Sequence, residues 1–152
     1  MSRIAIAALL AALASAAAPG ASAQAPAFDA ELASKVGADE HGMRAYVLVI
    51  LKTGPNRVPN GPERDEMFKG HFANINRRAE EGTLVMAGPL DGADGWRGMF
   101  IFAVTSIDEA KTLVATDPVV IKGEMVPEYH TLYSTAGLVA IPEMHKKLVK
   151  PR

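Results

Sequence analysis

Two residues stand where their surroundings call for apolar side chains: His71 and Asp117. His71 lies in the run Pro62–Gly82, and at about 100° per residue Phe68, His71, Phe72, Ile75 and Ala79 share one helical face. Asp117 ends the run from Ser106, on the face that also carries Ile107, Ala110 and Val114. An imidazole and a carboxylate on the buried sides of two helices point to one shared polar pocket. The chemistry open to such a pair is proton transfer. The carboxylate orients the ring and balances its charged form, while the second ring nitrogen faces a substrate as acid or base. Taken singly, each residue also has a plain structural reading: a core histidine satisfied by one partner, and an Asp-Pro turn.

Arg97, after Trp96 and the turn glycines, is a candidate to clamp a substrate carboxylate through two N–H groups; its other reading is a solvated strand end. Tyr129 is a second candidate for substrate binding, with packing as the alternative. Its neighbour His130 must point to the opposite face of the same strand. His145, beside Glu143 and two lysines, reads as decoration of an exposed helix. The four histidines have no HExxH or other paired-ligand spacing, so no metal site is expected. There is no phosphate loop, no GxGxxG and no GxSxG elbow, and no cofactor is expected.

The elements that must position these residues are legible in order. A polar lead-in over 24–44 has room for a short helix around Glu31–Val36. Ala45–Leu51 is a β-branched run and reads as a strand. The Pro- and Gly-rich stretch Thr53–Gly61 is a loop. Pro62 suits a first helical position and Gly82 a left-handed stop, which predicts a helix over 62–81. Thr83–Gly88 reads as a strand, Asp91–Gly95 as a turn and Arg97–Val104 as a strand. Ser106 with Glu109 forms a capping box that starts a second helix, and Pro118 ends it. That reading puts Asp117 at a helix C-terminus, against the negative end of the dipole, where a histidine proton would offset the cost. A fourth strand across Glu124–Tyr133 and a short helix within Pro142–Lys150 complete the chain.

The resulting βαββαβ order predicts an α+β, ferredoxin-like fold: an antiparallel four-stranded sheet with two helices on one face. The other face poses a problem. Tyr46, Leu48 and Ile50 alternate with Val47, Val49 and Leu51, and Phe100, Phe102 and Val104 with Met99, Ile101 and Ala103, so both central strands are apolar on both sides. An antiparallel sheet with one wet face should alternate apolar with polar. Two helices cannot cover both faces, so a homodimer packed sheet to sheet is expected.

The first residues have a different character. Arg3 precedes the uncharged stretch Ile4–Ala18, followed by Pro19-Gly20 and Ala21-Ser22-Ala23, which is the pattern of a cleaved export signal rather than a bilayer span. The division is then leader 1–23, polar lead-in 24–44, domain 45–135 and tail 136–152, with the mature protein periplasmic or secreted and without stable membrane association. Cutting after Ala23 removes Arg3 and takes the formal balance from 16 cations against 17 anions to 15 against 17. A nearly neutral domain without a basic run is not expected to bind nucleic acid. The chain has no cysteine, so no disulfide can brace it.

With the elements placed, several local words carry a family resemblance. Tyr46-VLVILKTGPN-Asn56, Gly70-His71, Glu81-GTLVMAGPL-Leu90, Arg97-GMFIF-Phe102 and Asp108-EAKTLVATDPVVIKG-Gly123 resemble a YCII-related protein over about residues 44–135. The resemblance implies a dimeric α+β barrel whose site is a His–Asp pair, here His71 and Asp117. It implies cofactor-free chemistry on small cyclic or aromatic metabolites, dehydrohalogenation included, and a related fold family isomerises muconolactone. The histidine of such proteins has also been proposed as a phosphohistidine. Two departures stand near the expected pocket mouth: Val126-PEYHTLYS-Ser134 lacks the usual Pro-Trp-Tyr word, and Lys122 replaces a small residue before Gly123. The expectation is an exported homodimer acting as a lyase or isomerase on a small cyclic or anionic metabolite. The alternatives are a non-catalytic small-ligand-binding module and a dimer in which the pair is only a core hydrogen bond.

Overall fold

The aliphatic run at the centre of the sequence forms the inner strand of the sheet. β1 (Met43–Thr53) pairs antiparallel on both edges, with β3 (Trp96–Phe102) and β4 (Met125–Thr135). β2 (Leu84–Pro89) adds to the far side of β3, giving the order β2-β3-β1-β4. Helix α2 (Pro62–Glu80) joins β1 to β2, while α3 (Ile107–Val114) and α4 (Pro118–Ile121) join β3 to β4. This is the ferredoxin-like plan. The computed structural model describes residues 27–150, so the leader and its cleavage after Ala23 lie outside the described residues. Among those described, no helix is long and apolar enough to cross a membrane.

Local chemistry explains the boundaries. In the lead-in, Asp29 caps α1 (Ala30–Val36) by accepting from Leu32 N, and Gly37 ends it in the left-handed region. Pro62 occupies the first turn of α2, and Gly82, at φ 74, turns the chain into β2.

The helix expected over Ser106–Asp117 is in fact two. Ser106 caps α3, its hydroxyl accepting from Glu109 N at 3.2 Å, but α3 ends at Val114. Asp117 is extended (φ −81°, ψ 125°) and is the N-cap of α4, with Pro118 in the first helical position. A proline drives its preceding residue out of the helical region and needs no N–H partner itself, so Asp117-Pro118 starts a helix better than it ends one. The carboxylate therefore meets free N–H groups, accepting from Val119 N at 3.2 Å. The dipole cost expected of Asp117 does not arise.

The helix-side core joins Val47, Val49, Leu51, Phe100 and Phe102 of the sheet to Met67 of α2, Val114 of α3 and Val119 of α4. Within α2 the buried residues are Met67 and His71; Phe72, expected on the buried face, is 59% exposed. The face that packs is centred on Met67 and His71, with Phe72 one helical step off its edge.

The second sheet face has its own small cluster, in which Tyr46, Val85 and Ile101 are buried. Leu138 and Val139, from a 3-10 turn at Ala136–Ala140 that leads into α5 (Ile141–Lys146), pack onto it. The Tyr46 hydroxyl donates to Thr135 O at 2.9 Å and ties that turn down. Part of the face assigned to a second copy is thus covered by the chain's own C-terminal segment. Met86 and Val126, which strand register places on the same face, remain exposed.

Candidate active site

A close approach of α2 to α4 builds the site. Gly70, immediately before His71, faces Pro118, and a Cβ added there would lie 2.9 Å from the proline Cγ. Without that side chain the two helices meet, and His71 Nδ1 lies 2.9 and 2.8 Å from Asp117 Oδ1 and Oδ2. The carboxylate accepts only, so Nδ1 carries the proton and donates it. Asp117 is wholly buried and His71 nearly so. Besides the ring and Val119 N, the carboxylate has Asn74 Nδ2 at 3.5 Å, a long contact on its Oδ2. Asn74 is itself held by Arg77 Nη2 at 2.6 Å and Thr116 Oγ1 at 3.2 Å.

His71 lines a cavity of about 530 Å³ together with Phe68, Phe72, Leu51, Phe100 and Arg97. The ring stands edge-on to Phe68 at 6.0 Å between centroids and tilted against Phe72 and Phe100 at 5.4 and 6.0 Å. Its Nδ1 edge is committed to Asp117, and no protein hydrogen bond is made by its Nε2 among the described residues. A mostly apolar hollow with one acid–base group and one cation is the composition of a small-molecule site.

The other residues singled out from the sequence separate. Arg97 lines this cavity. Tyr129 does not; it packs against the helix-side core, and burial pushes its hydroxyl pKa up. His130 points to the opposite sheet face, with Nε2 2.9 Å from Glu128 Oε1, and Lys52 Nζ pairs with the same carboxylate at 3.1 Å. His145 borders a smaller hollow of about 210 Å³ between α2, β2 and α5. Lys122 Nζ reaches Glu63 at 2.7 Å. No group of three or more His, Cys, Asp or Glu side chains suited to hold a metal occurs among the described residues.

Glu124 escaped the sequence reading. It is wholly buried immediately before β4. Its Oε2 accepts from Val58 N at 2.7 Å, and its Oε1 faces Arg64 at 2.9 Å, Arg97 at 3.6 Å and Arg57 at 3.7 Å. Burial pushes this carboxyl pKa up, but the Val58 amide and the Arg64 and Arg57 guanidinium groups outweigh it and hold the group below its ordinary range. The loop after β1 is clamped there: Gly54 N donates to Glu124 O at 2.8 Å, and a Cβ at Gly54 would lie 2.1 Å from Gly123 O. No local spacing announces a carboxylate whose partners come from a loop, a helix and another strand.

Fold and site together define an α+β protein of ferredoxin-like topology with a buried His–Asp pair facing a cavity. The chain belongs to the YCII-related domain family, whose sequence model matches residues 45–129. It is also similar to a solved structure described as 5-chloro-2-hydroxyhydroquinone dehydrochlorinase from Burkholderia phenoliruptrix AC1100, in complex with 2,5-dihydroxybenzoquinone. That likeness has a TM-score of 0.41 and 20% identity, over 56% of this chain and 90% of that one. No curated protein matches the chain.

Proposed function

We propose that this protein is an exported, homodimeric, cofactor-independent lyase or isomerase, with His71 as its acid–base residue and Asp117 as the residue that orients it. One observation carries the reading. His71 Nδ1 is fixed by both oxygens of a buried carboxylate while its ring lines a cavity large enough for a small cyclic or anionic metabolite. The Nε2 lone pair takes a proton from an activated carbon of the substrate. In an isomerase that proton returns to a different carbon as the double bond shifts. In a lyase the electron pair of the broken C–H bond forms a double bond, the leaving group departs with its own bonding pair, and the proton is released to water. Asp117 balances the charge on the ring between the two steps.

The alternative is a module that holds a metabolite without converting it, and the same cavity supports it, because a fold does not choose between binding and turnover. A thermal-shift screen of small metabolites with the wild-type protein, followed by turnover assays of the hits, tests the proposal. A stabilising compound that is consumed by wild type and bound but not consumed by His71→Ala supports the enzyme; one bound unchanged by both supports the module. Export is tested by intact mass: protein recovered from the exporting host should begin at Gln24, and uncleaved chain in the membrane fraction would refute that part.

A further inference from the structure

Three guanidinium groups, Arg57, Arg64 and Arg97, surround the one buried carboxylate of Glu124, and no other acidic side chain pairs with any of them among the described residues. The cluster therefore carries two more positive charges than negative ones. Val58 N holds Oε2 of Glu124, while Oε1 is buried without a hydrogen bond and has Arg64, which donates to Val58 O at 2.8 Å, as its nearest charge. Arg64 is further fixed over the Phe68 ring, 4.9 Å from its centroid. Arg57 is largely in water, where its charge is screened. Arg97 is different. Its side chain is 22% exposed, it lines the His71 cavity, and its Nη1 is buried without a hydrogen-bond partner, 3.6 Å from Glu124 Oε1. A buried charged donor left without an acceptor is unfavourable, and an acceptor supplied by a ligand relieves it.

We infer that Arg97 is the anion-recognition residue of the cavity, so that the substrate is an organic oxyanion, a carboxylate or enolate held by Arg97 while its reacting carbon faces His71. This rests on the reading of that cavity as a substrate site but not on any turnover. Glu124 is a positioning residue: its single negative charge gathers the three arginines without neutralising them, and its Oε1, 3.6 Å from Arg97 Nη1, makes no hydrogen bond to it, which leaves that donor for the ligand. Arg64 adds charge from behind without entering the cavity wall.

The probe is benzoate, with benzamide as its neutral counterpart of the same shape, titrated into the wild-type protein at constant ionic strength and followed through the amide resonances of Ala87, Gly88 and Gly98. Benzoate should shift them saturably and bind about tenfold or more tighter than benzamide, the ratio expected for a hydrogen bond to a charged group. Arg97→Gln should lower benzoate affinity to the benzamide level, whereas removal of an exposed cation outside the cavity, Lys69→Gln, should leave the preference intact. A wild-type preference that disappears in Arg97→Gln, while no substrate is ever turned over, would sink the acid–base proposal and leave this one standing. Equal binding of the two probes by wild type, no saturable benzoate shift, or an undiminished preference in folded Arg97→Gln would each overturn it. The wild-type comparison decides the matter even if Arg97→Gln fails to fold.

Discussion

His71 is held by one partner and Asp117 by several, so the two halves of the pair answer differently to substitution. Replacing His71 with Leu suits the apolar surroundings but strands a wholly buried carboxylate whose remaining donors are Val119 N and a long contact from Asn74. A loss of about 1–3 kcal/mol is expected by urea unfolding. Asp117→Asn keeps an oxygen for Val119 N and for the ring, so the fold should survive, while turnover of any substrate found should drop by about 10²–10⁴-fold. A marked stability loss in each single variant, mostly recovered in an apolar double variant with turnover never detected, would mark the pair as structural only. Glu124 gives a pH signature. Its folded pKa lies below the ordinary value of 4.5, so its contribution is fully present above that value and is lost as pH falls through the depressed folded value. Glu124→Gln should cost about 2 kcal/mol near neutrality. The difference from wild type in unfolding midpoint should shrink as pH is lowered through the carboxylate range; a constant difference would show that the charge of Glu124 is not what stabilises.

Between elements, the decisive contact is α2 against α4. Gly70→Ala would gain about 1 kcal/mol of helix propensity and lose about 1–3 kcal/mol to overpacking against Pro118, since a proline ring has little freedom to move aside. A net loss of about 1 kcal/mol is expected, with the His71–Asp117 approach loosened and turnover reduced. A melting temperature at or above that of wild type would show that the helices separate at no cost. The same contact explains an error of the sequence reading. Helical periodicity placed Asp117 on the inner side, but a continuous Ser106–Asp117 helix was the wrong vehicle. Proline at 118 made Asp117 a cap, and capping is what turns its carboxylate toward free N–H groups and the imidazole.

Across the whole molecule, the second sheet face is only partly covered. The C-terminal turn covers Tyr46, Val85 and Ile101, while Met86 on one edge strand and Val126 on the other, beside the Lys52–Glu128 ion pair, stay exposed. If a second copy packs there, light scattering at micromolar concentration should give twice the mass of the mature chain, and Val126→Lys should shift the equilibrium toward monomer. A monomer at all concentrations would mean that the C-terminal segment suffices. The order of the four strands, the helix between β1 and β2, the capping of α3, the stop at Gly82 and the inward placement of His71 were legible in the sequence, because period, turn chemistry and caps act within a few residues, whereas α4 was not. The partner chosen by His71 could be guessed only by matching two irregular positions. Glu124 and its arginines could not be guessed at all: Val58, Arg64 and Arg97 reach it from 66, 60 and 27 positions away in the chain. Only the tertiary structure decides such contacts, because they depend on where the loop after β1 is clamped to β4 and on how closely α2 can approach α4, and a local pattern of residue types encodes neither.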